Sequence, residues 1–581
     1  MGASAMPALR KWRTVVQSDG TTIEIMQMGD EYYHYVVNRE GKEVRLNDEG
    51  MYEVVGEAPT ADKVKARRAA NPVRKARKDV GAANLAPRGL LILVNFSNKT
   101  FKAANTKAVM DSLINAKDCK VNKYNNKYFG SAAQYFRDQS DGKYHPVFDV
   151  YGPVTLSNKY SYYGGNDSQG NDEYATDAVI EACIKANSQY SDLNFANYDN
   201  DGDGYVDFVY VIYAGYGEAD YDDENTIWPH NYSIQEVVKY YSYGYTKYQK
   251  SQTKLDGKYL DNYAMSQELD GYYDMGSLAG NGTFCHEFGH VIGLPDYYDT
   301  EYSSNCYGGK TPNDWDVMDG GGYNYAGHCP PNYSAWEKYF FGWHTPINLG
   351  SEGQKLELIA NGKEGYQAYQ INTSGKQQAA AASGLCYYIE NRQQEGWDYG
   401  LPSKGMLIWK VNYDQSKWEA NGPNITSNGD PSYTIVSANS SKGIGTYRKS
   451  ANAQTYTEDG PYNPFPQTLV TSWSGVSGKP LKDITMKNGV VSLIYIEEPV
   501  DPKYTVTWVV NGERLEEVEY AIDGTEDLKL PTKAVVPCDG TTFIGWTQEE
   551  EWADPFVEPE DLFTEASGKV TADVTYYALF Q

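Results

Sequence analysis

His286 and His290 stand four residues apart in the segment GTFCHEFGHVIGLPDYYD. On a helix that spacing puts both imidazoles on one face, where they can grip a single metal ion. Glu287 lies beside them, placed to take a proton from water rather than to bind the metal. Gly293 then allows a sharp turn, because glycine reaches positive φ cheaply, and Pro295 enforces departure from the helix. The turn carries the chain back toward the metal, and the next residue able to ligate is Asp296. This is the donor set of a hydrolytic zinc centre, in which zinc lowers the pKa of its water to about 7 and makes hydroxide available at neutral pH. A bare HExxH arises by chance on many amphipathic helices. The helix breaker and third ligand at this distance make the pattern far more specific.

A second acidic set, DNDGDGYVD, places Asp199, Asp201, Asp203 and Asp207 in a short Gly-containing loop, with Tyr205 able to offer its backbone carbonyl. Alternate carboxylates converge when such a loop curls and would repel one another, and a hard cation with oxygen ligands resolves both problems. The bidentate glutamate of an EF-hand is missing at its position, and the shorter spacing resembles the DxDxDG calcium loops of extracellular proteins. The plain alternative is a solvated acidic turn. Calcium here is expected to be structural, fixing the sheet beside the cleft. His230, in IWPHNY, is a candidate for substrate binding or transition-state stabilisation, and equally a candidate for a structural role.

The elements that must position these residues are legible in outline. Residues from about 10 to 55 alternate apolar and polar with Gly-containing turns, which predicts a small antiparallel β module. A basic, Ala-rich segment follows from Lys63 to Asp79, KVKARRAANPVRKARKD, and reads either as a solvated linker or as one cut by a protease that favours Arg or Lys. The buried-strand run GLLILVNF opens a new domain, with helices expected near Thr106–Ala116 and Ala132–Gln139. A strand in HPVFDVYGPVTL, a helix in DEYATDAVIEACIKANSQY and the strand VDFVYVIYAG then predict an α/β or α+β domain around a central sheet. The Tyr-rich stretch after them gives few signals. Beyond about residue 347, LCYYIENR, GMLIWKVNY and SLIYIEE, separated by Gly/Pro/Asn/Ser clusters, predict a β-sandwich up to about residue 499.

The motif resembles the metzincin pattern, in which the third ligand is commonly histidine; aspartate in that place is a known variation. Metzincins also carry a methionine turn beneath the zinc, and NDWDVMDGGG supplies Met318, which taken alone would read as a core filler. Position 320 is glycine, so no tyrosine ligand two residues after the methionine is assigned. The match is closer to the immune-inhibitor-A-like metallopeptidases, carried by CHEFGHVIGLPDYYD, WDVMDGGG, SAWEKYFFGW, GPVTL, DNDGDGYVD, IWPH and IENRQQEGWDYGLPSKGMLIWKV in order. One departure is Asn412, where family members often have an acidic residue, and no role is assigned to it.

The resemblance implies a multidomain α+β protein, with a metzincin-like α/β catalytic domain followed by a β-sandwich and small β modules. Its expected divisions are an N-terminal β prosegment over 1–62, a basic processing linker over 63–87, the zinc peptidase domain over 88–346, the β-sandwich over 347–499 and a final β module over 500–581. That last module resembles an internalin-type B repeat. The implied function is a secreted zinc metalloendopeptidase stabilised by calcium, made as a zymogen and cut by an activating protease, acting on protein or glycoprotein substrates. The competing reading is a cell-surface binding or adhesion protein built on an inactive peptidase scaffold. Retention of Glu287 weighs against it.

Composition narrows the partners. Lys plus Arg number 51 against 78 Asp plus Glu, a net charge of -27 that repels nucleic acid and anionic membrane surfaces. No apolar run is long enough for a transmembrane helix, and the N-terminus shows no signal-peptide apolar region, which reads either as a cytosolic protein or, the reading favoured here, as a signal already removed. The 7 cysteines lack CxxC spacing, which argues against a cysteine zinc site; Cys306 and Cys329 are the pair to test first.

Overall fold

Leu90 to Val94 is an unbroken apolar run, and such a run belongs at the centre of a largely parallel sheet covered on both faces. A computed structural model of the chain places it there. The model describes residues 4–66 apart from 32, 48, 61 and 65, residues 86–300 apart from 168, 169 and 222, residues 311–425, parts of 430–496, residues 503–550 apart from 523, 538 and 539, and residues 560–581. Most of the basic linker, together with Cys306 and Cys538, lies outside the described residues. The molecule is mixed α/β, with many sheets and few helices, and divides into two compact units, Met1–Glu497 and Glu498–Gln581.

In the first unit, β1 (Ser4–Ala5) is followed by a five-stranded antiparallel meander of β2 (Arg13–Val16), β3 (Thr22–Asp30), β4 (Tyr33–Asn38), β5 (Lys42–Leu46) and β6 (Tyr52–Glu57). Next come β7 (Arg88–Asn95), α1 (Lys107–Asn115), α2 (Ala132–Gln139), β8 (Val147–Thr155), α3 (Ala175–Gln189), β9 (Val209–Tyr216), β10 (His230–Ser233), β11 (Asn262–Leu269), α4 (Gly282–Val291) and α5 (Ala335–Phe340). The central sheet runs β1-β10-β11-β9-β7-β8. Strands β8, β7, β9 and β11 are parallel, while β10 is antiparallel to β11, and β1 is antiparallel to β10. Side chains alternate between two cores, as a pleated strand requires. Leu91 and Leu93 face the helix that carries His286, and Leu90, Ile92 and Val94 face α3.

The core on the α4 side does not stop at the end of the catalytic segment. It extends through Tyr388, Leu407, Trp409 and Tyr433 of a five-stranded sheet whose order is Ile347–Asn348, Tyr369–Ile371, Gly384–Arg392, Gly405–Tyr413 and Tyr433–Ile435. The other face of that sheet shares a separate core with a three-stranded sheet through Ile389, Met406, Ile408, Leu356, Val491 and Leu493. The second unit has its own four-stranded sheet, ordered Glu513–Ala521, Lys503–Val510, Val574–Phe580 and Phe543–Thr547, around Trp508 and Trp546. Among the described residues, no helix is long and apolar enough to cross a membrane.

Candidate metal centre

Helix α4 is held by its apolar stripe. Phe284 lies 4.2 Å from Tyr210 and 5.1 Å from Phe148 between ring centroids, and Phe288 lies 4.9 Å from Phe136. Large rings of this kind bury 150–250 Å² each, enough to fix the helix against β8, β9 and α2. The opposite face then presents His286 and His290. The helix ends where Gly293 turns out at φ +110°, in the left-handed region that glycine alone enters cheaply.

Three donor atoms converge beyond that turn. His286 Nε2 and His290 Nε2 are 3.1 Å apart, and each is 3.2 Å from Asp296 Oδ1. All three residues are buried. His286 Nδ1 faces the Val317 carbonyl at 2.7 Å, and His290 Nδ1 faces the Leu294 carbonyl at 2.9 Å. A carbonyl can only accept, so each Nδ1 carries the hydrogen and each Nε2 keeps a lone pair for a metal. Asp296 Oδ1 is buried and takes no hydrogen bond, whereas Oδ2 accepts from Asn421 Nδ2 at 2.6 Å. These donors suit a metal ion, and bound there it would be ligated by His286, His290 and Asp296.

Met318 lies under this group. The carbonyl preceding it orients His286, its own carbonyl accepts from Tyr297 N at 2.9 Å, and its sulfur packs against Gly289. A Cβ built on Gly289 would fall 2.4 Å from Met318 Sδ, so only glycine lets the methionine turn approach the helix.

Glu287 is fully buried, with Oε1 accepting from the backbone N–H of Met6 at 3.0 Å and Oε2 making no hydrogen bond. Burial, and after it the charge of Asp296, pushes the Glu287 carboxyl well above its ordinary value, against the opposing effect of the Met6 N–H. Residues 4–9 thus lie across the face of α4. Ser4 and Ala5 pair with Asn231 and His230 as an added strand on β10. Tyr298 OH donates to the Ala5 carbonyl at 2.8 Å, Trp228 Nε1 to that of Met6 at 3.0 Å, and Tyr323 OH to that of Pro7 at 2.8 Å. The meander follows: its core of Met26, Met28, Tyr33, Tyr35 and Val37 closes on Tyr298.

His230 meets this segment through its backbone. Its ring turns to the α3 face of the sheet, away from His286, with Nδ1 on the Trp228 carbonyl at 2.6 Å and Nε2 2.8 Å from Tyr263 OH. Burial lowers its pKa to about 4 and keeps it neutral. In the acidic loop, one carboxylate oxygen from each of Asp199, Asp201 and Asp207 falls within 4.8 Å of the others. Asp203 stands outside that group and accepts from Tyr205 N at 2.9 Å. Asp199 Oδ1 is buried without a hydrogen bond, while Oδ2 meets Lys258 Nζ at 2.5 Å.

Motif reading did not single out Met6, Trp228, Tyr298 or Asn421. Tyr298 sits in the metal motif itself, two residues after Asp296, and could have been found there. Met6 acts through its backbone, and Asn421 comes from 125 residues away, so neither leaves a local signature.

The fold and the centre define a metallopeptidase catalytic domain. Residues 86–346 match the family described as immune inhibitor A peptidase M6, catalytic domain, and over this stretch the chain is similar to the immune-inhibitor-A-like metallopeptidases. It is similar to the pre-pro-metalloprotease PrtV of Vibrio cholerae serotype O1, at 24% identity over 234 residues, which are 37% of this chain and 24% of that protein. It is also similar to immune inhibitor A of Bacillus thuringiensis subsp. alesti, at 28% identity over 228 residues, 36% of this chain and 31% of that one. The match therefore spans a third or less of either relative.

Substituting Gly289 with alanine should force Met318 and the Val317 carbonyl off His286. Overpacking of this kind costs about 1–3 kcal/mol, so denaturant unfolding should show that loss together with weaker metal binding. Unchanged stability and metal affinity would contradict the role given to this contact.

Proposed function

We propose that this chain is a secreted zinc metalloendopeptidase, with His286, His290 and Asp296 as zinc ligands, and that residues 1–62 act as its prosegment. The observation that carries the reading is Glu287, retained beside three converged donors and in contact with a peptide backbone in extended conformation. Zinc bound there supplies the Lewis acidity that makes water a nucleophile near neutral pH.

The peptide between Ala5 and Met6 occupies the position we assign to a scissile bond. Glu287 takes a proton from the attacking water and delivers it to the leaving nitrogen; Met6 N, 3.0 Å from Oε1, stands in for that nitrogen. The Tyr298 hydroxyl, on the Ala5 carbonyl, would hydrogen-bond the oxygen on which charge develops. The edge of β10 aligns the substrate by backbone pairing, a mode that fixes direction and leaves side chains free for selection. While residues 4–9 lie there, the base is capped and the edge strand is filled. Cleavage in the basic linker by an activating protease would free the module to leave.

The substrates on this reading are proteins or glycoproteins, and the metzincin-like domain is followed by a sandwich formed by the two sheets over 347–499. The rival, a binding protein on an inactive scaffold, has no observation of its own in its favour. A calcium ion at Asp199, Asp201 and Asp207 would complete the loop: the donors are all oxygens, and Asp199 Oδ1 has no other partner.

Replacing Glu287 with glutamine should leave zinc stoichiometry unchanged and lower turnover of the processed protein by roughly a hundred- to ten-thousandfold. Full activity in that variant would sink the assignment. Millimolar calcium should raise the melting temperature of the parent but not of Asp199→Asn, because a ligand stabilises the state that binds it. An equal response in both would remove the calcium site.

A further inference from the structure

A cavity of about 450 Å³ opens beside the segment that lies in the cleft, on the α3 side of the central sheet. His34, from β4 of the N-terminal module, reaches into it. Its Nε2 is 2.9 Å from Glu218 Oε1, its Nδ1 is 3.2 Å from the Asp30 carbonyl, and its ring stacks on Trp228 at 4.6 Å between centroids. Nε2 faces the Glu218 carboxylate and, at 3.3 Å, Asn166 Nδ2, which itself donates to Glu218 Oε1; Nδ1 faces a carbonyl, and the shorter carboxylate contact favours a doubly protonated ring. Burial opposes this charge, but the Glu218 carboxylate outweighs it and raises the pKa to about 9. A cation stacked on an indole face and paired with a buried carboxylate is one half of a recognition site.

The other half belongs to the catalytic domain. Glu218 is only 2% exposed, and its second oxygen, Oε2, is buried without a hydrogen bond; so is Asp172 Oδ1 in the same wall. Ala5 pairs directly with His230, and directly paired residues project to the same face of a sheet. His230 lines the cavity, and Ala5 packs against Trp228 and Ala219, the residue after Glu218. Trp228 thus joins the two, touching Ala5 of the bound segment and carrying His34 on its indole face.

We propose that this cavity is the subsite for the substrate residue on the amino side of the scissile bond, that it takes a guanidinium side chain between Trp228, Glu218 and Asp172, and that His34 is its intramolecular occupant. The inference rests on the peptidase reading and names its substrate class: chains carrying arginine at that position. Guanidinium is favoured over ammonium because it is planar, stacks on an indole and can engage both oxygens of one carboxylate. Eight Lys and Arg residues between Lys63 and Asp79 offer this chemistry within the chain itself.

Two measurements test it. With processed protein, paired peptides differing only in arginine or citrulline at that position should differ in kcat/KM by about tenfold or more, as expected for loss of a charge-assisted pair, and the ratio should fall toward one in Glu218→Gln. Cleavage with no preference for arginine, or a preference that Glu218→Gln leaves intact, overturns the subsite while leaving the peptidase reading standing. Without any turnover, calorimetry on the full-length His34→Ala chain should detect agmatine binding about tenfold tighter than to the parent chain or to the His34→Ala, Glu218→Gln double variant. Equal binding by all three overturns the proposal even if the protein proves to be a peptidase.

Discussion

Everything around the centre follows from one constraint: two imidazole nitrogens and a carboxylate oxygen are brought within 3.2 Å of one another in a pocket closed to water. Lone pairs held so close repel, and a helix alone could not keep them there. The centre is therefore braced at second hand by the Val317 and Leu294 carbonyls on the histidines and by Asn421 on the aspartate. Each brace comes from a different part of the chain, which accounts for the single core running from Leu91 to Ile435. Such outer contacts fix the tautomer and orientation of the ligands and raise their basicity. The same demand explains the glycine at 289, where a side chain would meet Met318, and the glycine at 293, whose φ of +110° strains any other residue.

The second organising interaction is backbone pairing at β10. An edge strand offers unpaired N–H and C=O groups, and proteins cover such edges or use them for binding. Here Ser4 and Ala5 cover it, and the meander behind them is anchored by Tyr298 and by the pair between His34 and Glu218. On the reading proposed above, the contacts that hold the module are those a substrate would use: an edge strand, a phenol on a carbonyl, and a carboxylate awaiting a cation.

How far the sequence carried the reading depended on where the information sits. The run Leu90–Val94, the apolar pattern of Ala175–Gln189 and the CHEFGH helix are local, and their elements were visible from sequence pattern, the last from its metal motif and the glycine and proline that end it. Strand β11 was not, because Ser266, Gln267 and Glu268 are polar yet buried, and Glu268 is satisfied by Asn105 and by backbone N–H groups far along the chain. The ligand set was legible because its three members fall within eleven residues of sequence. Met6 on Glu287 was not legible: a backbone amide has no residue type, and the contact spans 281 positions. His230 shows the converse. Its type suggested chemistry, whereas its register turned the ring to the other face of the sheet.

The central claim is that a zinc peptidase is held shut by its own N-terminal strand. Its most direct test is cleavage of unfolded casein by the intact chain and by chain nicked between Lys63 and Asp79, each with and without a zinc chelator. The account predicts cleavage only after nicking, and its loss on chelation. Equal cleavage by the intact chain would contradict the strand's role, and none by nicked chain with zinc bound would contradict the peptidase itself.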